Sequence, residues 1–203
     1  KEKFPTFARI NPPEVIVVDS VLALLDFYQW RKFAIVWARG AHEDVVAKLR
    51  KDAAARKFSV TVEFVFNDEN KCCIGSERCC GKLWQDVVEK TYRQARIYVF
   101  LGGGKLLSNF LLALKSRGLT DSGDYMVISV ELEEDLIENQ EYRFINQQTE
   151  RPPHEIASIR EATRSLMVIA RSPPHSPKYP EFVEKVREYN KRPPFLLGDK
   201  MDL

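Results

Sequence analysis

The sequence predicts an α/β fold: a doubly wound, mainly parallel sheet with helices on both faces. Short apolar runs rich in β-branched and aromatic residues recur along the chain, a pattern typical of strands buried on both sides. Segments with apolar residues at helical spacing lie between most of these runs. Strands and helices that alternate at this spacing favour parallel strands joined by crossover helices.

The first half of the chain predicts two helices and two strands. Residues 14–30 place apolar side chains at helical spacing just after two prolines, which suit a helix start. Residues 33–38 (FAIVWA) are uniformly apolar and predict a buried strand. Residues 42–56, rich in Ala, Lys and Arg, form a second amphipathic helix. The β-branched and aromatic stretch 58–66 is the second strand.

The second half of the chain continues the alternation. The expected elements are helix 83–95, strand 97–101, helix 105–116, strand 125–132, strand 166–170 and helix 179–190. Gly118 is the expected C′ residue of the fourth helix. Residues 133–157 lose all periodicity, so we expect a long loop there. The whole chain is therefore expected to form one α/β lobe.

Charge and hydropathy exclude two classes of protein. The 31 basic and 29 acidic residues give a formal charge of +2, without the excess that attraction to nucleic-acid phosphates requires. The longest nearly uncharged apolar stretch, 15–25, is interrupted by Asp19 and is too short to span a bilayer. No nucleic-acid partner and no membrane-spanning segment are predicted, and the first residues suggest the middle of a longer chain.

A glycine triplet follows the third predicted strand. Gly102, Gly103 and Gly104 precede Lys105 and open a helix, where backbone N–H groups at a helix N-terminus attract anions. The segment has neither the phosphate-loop spacing nor the dinucleotide-binding glycine pattern. A tight strand-to-helix turn is therefore favoured over a Rossmann-type enzyme that binds a nucleotide, and no cofactor is predicted.

All four cysteines fall in one predicted loop, with Cys72 and Cys73 separated from Cys79 and Cys80 by five residues. Adjacent cysteines point their side chains apart, which does not suit the paired ligands of a zinc ribbon, so no metal site is predicted. Local disulfides are favoured, and free thiols remain the alternative. Paired cysteines would indicate an oxidising compartment.

Other reactive residues do not form a catalytic set. The three histidines are scattered, and no serine lies in a nucleophile elbow. Acidic residues gather at and beyond the end of the fourth strand, namely Glu131, Glu133, Glu134, Asp135 and Glu138. Open α/β sheets bind ligands at this edge, so the acidic group is either part of a site for a cationic ligand or a solvated loop.

Several segments, in order, resemble the extracellular ligand-binding region of receptor guanylyl cyclases. This is the natriuretic-peptide-receptor-like branch of the type 1 periplasmic-binding-protein fold. The matching stretches are FPTFARINPP at 4–13, FYQW at 27–30, ARIYVFLG at 95–102, GL at 118–119 with GDY at 123–125, YPEF at 179–182 and KRPPF at 191–195. The last stretch, KRPPF, resembles the invertebrate receptors more than the vertebrate peptide receptors.

The resemblance implies the second of two lobes, with residues 1–13 entering from the first. It further implies an extracellular peptide or small-molecule ligand, a homodimeric parent receptor at the plasma membrane, and a transmembrane segment and cyclase domain outside this chain. Ligand binding would be coupled to cyclic GMP synthesis inside the cell. The lobe itself carries no cyclase activity.

Sheet geometry then selects the residues expected to face the cleft between the lobes, because parallel strands all end at one edge. They are Arg39 and His42 after the first strand, Gly102 and Gly103 after the third, and Glu131 and Glu133 at the fourth. The alternative function is a module of the same fold that binds small solutes or amino acids. Such a module needs convergent hydroxyl groups, and the turn at 102–108 offers only Ser108.

Overall fold

The computed structural model describes residues 14–39, 42–67, 77–130, 151–170 and 176–193. Its strands are β1 (Lys32–Arg39), β2 (Ser59–Asn67), β3 (Ile97–Leu101), β4 (Met126–Val130) and β5 (Leu166–Ile169). Its α-helices are α1 (Val17–Phe27), α2 (Glu43–Ala55), α3 (Glu77–Thr91), α4 (Gly104–Ser116), α5 (Pro153–Ala162) and α6 (Tyr179–Asn190). Single 3₁₀ turns, Glu14–Ile16 and Thr163–Ser165, precede α1 and β5.

The strands form one parallel sheet in the order β2-β1-β3-β4-β5. In register, Val36 of β1 lies between Phe64 of β2 and Phe100 of β3. The pairing of β1 with β2 shifts by one residue between Phe33 and Ala34. The predicted doubly wound α/β class is confirmed, and each predicted strand is found at its expected place, although residues 131–132 of the fourth lie outside the described residues.

Each face of the sheet is covered by its own hydrophobic core. On one face, α1 and α2 pack over the odd-numbered residues of β1, among them Phe33 and Ile35. On the opposite face, α3 and α4 cover the even-numbered residues of the same strand, and Ala162 of α5 joins them. Because strand side chains alternate between faces, a strand covered on both sides must be apolar throughout. This requirement explains the unbroken run FAIVWA.

Helix α4 ends as the sequence predicts. Gly118 adopts a left-handed conformation with φ of 73° at the C′ position. Its N–H donates to the carbonyl of Lys115, and the N–H of Leu119 donates to that of Leu114. These two bonds form a Schellman motif, which satisfies carbonyl groups that a helix end otherwise leaves unpaired.

Two expectations about helices were wrong. Cys79 and Cys80 do not lie in a loop, because α3 already begins at Glu77. Gly81 lowers the helix propensity of this stretch and hides its start. Likewise, the expected loop 133–157 overlaps α5, which begins at Pro153. Only Ile159 and Ala162 of α5 are buried, so its sequence carries too narrow an apolar stripe to be recognised.

In the described part of the chain, no helix combines the length and the apolar character needed to cross a membrane.

Four aromatic rings carry much of the packing under α3 and α4. Trp84 lies 5.2 Å from Phe66 and 5.7 Å from Phe110, measured between ring centroids, and Phe110 lies 5.6 Å from Phe100. We call Phe66, Trp84, Phe100 and Phe110 the aromatic cluster. The exposed surface of Trp84 is 1% and that of Phe110 and Phe100 is zero. The cluster thus joins β2, β3, α3 and α4.

Replacing Phe110 by alanine should lower the free energy of unfolding by about 3–5 kcal/mol, because it empties the space between Trp84, Phe100 and Tyr98. The matched control is Phe182→Ala on α6, where the ring is 60% exposed and the expected loss is below about 0.5 kcal/mol. Urea unfolding followed by circular dichroism measures both. Equal losses for the two variants would show that the aromatic cluster does not support the fold as described.

Alkaline pH should destabilise the chain through Tyr98. Burial raises the pKa of this phenol to about 12, although its hydrogen bond to Thr91 acts in the opposite direction. In the unfolded chain a tyrosine loses its proton near pH 10, so the folded state binds more protons between pH 10 and 12. The free energy of unfolding should therefore fall by up to about 3 kcal/mol over this range.

The measurement is urea unfolding at a series of pH values, with Tyr98→Phe as the comparison. The variant has no proton to lose, and the Thr91 hydroxyl keeps its bond to the Val87 carbonyl. The steep loss above pH 10 should therefore be reduced in the variant. An identical pH profile for both proteins would show that Tyr98 is not the responsible group.

Candidate ligand site at the strand-end edge

Between β1 and β3 the strand order reverses, because the chain continues from β1 to β2 on one side and from β3 to β4 on the other. After β1 the chain enters α2, on the α1 side of the sheet, and after β3 it enters α4, on the other side. Because β1 and β3 are neighbours, we expect a crevice between the two connections that leave them. In open α/β sheets such a switch point at the carboxyl ends of the strands is where ligands bind. We call this side of the sheet the strand-end edge.

Two of the predicted residues lie on the α2 side of the crevice. Arg39 is the last residue of β1, two positions beyond Trp37, which pairs with Leu101 at the end of β3. Its side chain is exposed. His42 is half-buried and occupies the N-cap position of α2, where its carbonyl accepts a hydrogen bond from the N–H of Val46. The structure therefore places both residues at the strand-end edge, on the side of the expected crevice that α2 occupies.

Gly102 and Gly103 form the opposite side of the crevice, directly after β3. A Cβ atom on Gly102 would lie 3.0 Å from the ring of Phe66 and 3.1 Å from that of Phe100. Phe66 belongs to β2, on the far side of β1, and pairs there with the small residue Ala38. Because Ala38 is small, the Phe66 ring can extend across β1 to reach Gly102. The crevice is thus supported from below by the aromatic cluster.

The N-terminus of α4 gives the crevice a positive electrostatic character. Gly103 is the N-cap residue, and its carbonyl accepts bonds from Leu106 and Leu107. It has no capping side chain, and no acidic residue lies in the first turn, where Lys105 is exposed. By contrast, the first turn of α2 carries Glu43 and Asp44, which offset the dipole of that helix. The α4 side is therefore better suited to an anionic group.

The orientation of α2 is fixed by a polar contact that sequence reasoning missed. Glu63 of β2 accepts a hydrogen bond of 2.7 Å from the Trp37 indole and one of 2.8 Å from Arg50 Nε. Burial alone would raise the pKa of Glu63, but the bonds from Arg50 and Trp37 outweigh it and lower that pKa. The carboxylate therefore stays charged and ties β1, β2 and α2 together.

The other predicted site residues are not placed. Glu131, Glu133, Cys72 and Cys73 lie outside the described residues, and Cys79 and Cys80 are described only as part of the α3 backbone. Within the described ranges, no group of three or more histidine, cysteine or acidic side chains could hold a metal ion. The described site thus consists of Arg39, His42, Gly102 and Gly103 above the aromatic cluster.

A family model described as "Receptor family ligand binding region" matches residues 1–198. Among curated proteins, the Receptor-type guanylate cyclase Gyc76C of Drosophila melanogaster is 38% identical over 95% of this chain. Guanylate cyclase 32E of the same organism is 34% identical over 64% of the chain, and the Resact receptor of Arbacia punctulata is 27% identical over 70%. The matched region spans only 13%, 11% and 14% of these relatives.

Alanine at Gly102 should lower the free energy of unfolding by about 1–3 kcal/mol, because the added methyl group overpacks against two buried rings. Alanine at Gly103 is the matched control. A Cβ atom on Gly103 would meet no other atom within 4 Å, and the backbone φ of this residue is −66°. The substitution should therefore change the free energy of unfolding by less than about 1 kcal/mol. Urea unfolding of both variants tests this. A larger loss at Gly103 than at Gly102 would contradict the described turn.

Proposed function

The chain belongs to the family of receptor ligand-binding regions, and on this basis we propose that it is one lobe of the extracellular part of a membrane receptor guanylate cyclase. The observation that carries the proposal is the 38% identity to a receptor-type guanylate cyclase over almost the whole chain. Residues 1–13 would enter from a first lobe that precedes them. The transmembrane segment and the cyclase domain would lie elsewhere in the parent receptor.

We infer that the ligand binds at the strand-end edge, between this lobe and the first. Arg39 and the N-terminus of α4 supply positive charge there, and the acidic residues Glu131 and Glu133 follow β4 in the sequence. A surface with both signs of charge suits a peptide, whose side chains and termini also carry both signs. The preferred ligand is therefore an extracellular peptide rather than a neutral small solute.

The ligand would act by stabilising one arrangement of the receptor over another. A ligand shifts a conformational equilibrium only by the difference between its binding free energies to the two states. Contacts that form only when the two lobes close would supply that difference. In a homodimeric receptor at the plasma membrane, the rearrangement would be transmitted through the membrane and raise cyclic GMP synthesis inside the cell. No catalytic residue of this lobe is needed.

Charge reversal at the crevice should weaken the ligand response of the full-length receptor that contains this chain. We expect Arg39→Glu to shift the dose–response curve for cyclic GMP by tenfold or more, which corresponds to about 1.4 kcal/mol or more of binding free energy. The assay adds fractionated secreted peptides, and separately amino acids, to cells that express the receptor. Surface labelling confirms that each variant reaches the plasma membrane.

The control is Lys90→Glu, an equal change of charge near the end of α3, far from the crevice. It should leave the dose–response curve unchanged. A response to amino acids but not to peptides would replace the peptide with a small solute. If Lys90→Glu weakens the response while the crevice variant does not, the ligand does not bind at the strand-end edge.

A further inference from the structure

The opposite side of the sheet, where the strands begin, is rich in arginine. We call it the strand-start edge, and it consists of the five helix-to-strand connections 28–31, 56–58, 92–96, 117–125 and 163–165. Every one of these connections contains an arginine. Together they contain seven basic residues and two acidic ones, and three further carboxylates, Asp19, Asp26 and Glu89, approach them from the adjoining helices. The basic residues are all exposed: Arg31, Arg56, Lys57, Arg93, Arg96, Arg117 and Arg164.

The helix dipole does not account for all of this charge. A cation near a helix C-terminus is favourable, but the effect falls off beyond the last turn. Helix α3 ends at Thr91, and Arg96 lies five residues later. Four of the arginines pair with exposed carboxylates, for example Arg31 with Asp26 and Arg96 with Asp124. Exposed pairs of this kind contribute little to stability.

Two of the arginines are held side by side by one tyrosine. The Tyr92 hydroxyl accepts a 2.7 Å bond from Arg93 Nε and a 3.1 Å bond from a terminal nitrogen of Arg117, which places the two nitrogens within about 6 Å of each other. Both guanidinium groups also lie over the Tyr92 ring, at 5.4 and 4.9 Å from its centroid. Tyr125 anchors this arrangement by donating to the Tyr92 carbonyl. Planar guanidinium groups fixed in this way suit a sulfate or phosphate oxygen.

Exposed aromatic rings lie at the same edge. Phe27, at the end of α1, is 78% exposed, and its ring meets that of Tyr28 edge to face at 5.0 Å. Tyr28 in turn stacks on Trp30 at 4.6 Å. Gln29 between them has a φ of 58° because it is the C′ residue of α1, where the N–H of Trp30 donates to the Leu25 carbonyl. Flat exposed rings beside arginines provide stacking surfaces for the apolar faces of sugar rings.

We propose that the strand-start edge binds a sulfated polysaccharide of the heparin class, with Arg93 and Arg117 at the centre of the site. Neighbouring strands lie about 4.8 Å apart, so the five connections extend over about 19 Å. That length exceeds one sulfate group and fits a polymer with repeated sulfates. The choice of an extracellular polymer rests on the location proposed above. The receptor ligand would bind at the strand-end edge, and the polysaccharide would bind at the strand-start edge. The two would therefore occupy opposite sides of the lobe.

The test measures heparin binding by the 203-residue chain across a series of NaCl concentrations. The variant Arg93→Gln with Arg117→Gln should weaken binding by tenfold or more and reduce the slope of log affinity against log salt by about two, since two charge contacts are lost. The control, Lys82→Gln with Arg187→Gln, removes two exposed charges from α3 and α6. It should leave both quantities unchanged. Equal losses for the two double variants would overturn the proposal, because general charge attraction would then explain the binding.

A further variant, Tyr92→Phe, keeps every charge but removes the hydroxyl that positions the two arginines. We expect severalfold weaker binding to heparin with an unchanged salt slope. Full affinity in this variant would overturn the role of Arg93 and Arg117 as a fixed pair. Equal binding to heparin, single-stranded DNA and phosphatidylserine vesicles would overturn the assignment to a sulfated polysaccharide. None of these readouts involves cyclic GMP, so they succeed or fail independently of the proposed receptor function.

Discussion

The close contact between Gly102 and the rings of Phe66 and Phe100 constrains both the fold and the site. Phe66 reaches Gly102 only by crossing Ala38 of the intervening strand, so three neighbouring strands must be in register for the contact to form. Trp84 and Phe110 then seat α3 and α4 on the same rings. Because α4 starts immediately after this turn, the packing of the core decides where its N-terminus, and therefore the positive end of its dipole, is placed.

Sequence patterns predicted the sheet well because strands buried on both faces have a strong signal. The short run FAIVWA is typical of a strand between two layers of helices, and Gly118 marks the end of α4 by its left-handed conformation. Helix α5 could not be predicted in the same way, since only two of its residues are buried and its N-terminal half has no clear periodicity. The start of α3 was hidden by Gly81 for a similar reason.

The candidate site was predicted in outline but not in detail. The order of the elements alone places Arg39, His42, Gly102 and Gly103 at one edge, because parallel strands end together. The supporting contacts could not be predicted. Glu63 is separated from Trp37 by 26 residues, and Arg117 from Tyr92 by 25, and no local pattern indicates that such residues meet. Contacts of this kind follow from strand register and helix packing, which a single sequence does not specify.

The two edges of the sheet are thus proposed to have separate roles, with ligand sensing where the strands end and polyanion binding where they begin. A crystal structure of the complete ligand-binding region of the parent receptor tests this division most directly. It should show Arg39 and the turn at Gly102 and Gly103 facing the other lobe across the cleft, with Arg93 and Arg117 on the surface that points away from it. The reverse orientation, with Arg93 and Arg117 in the cleft, would contradict the account.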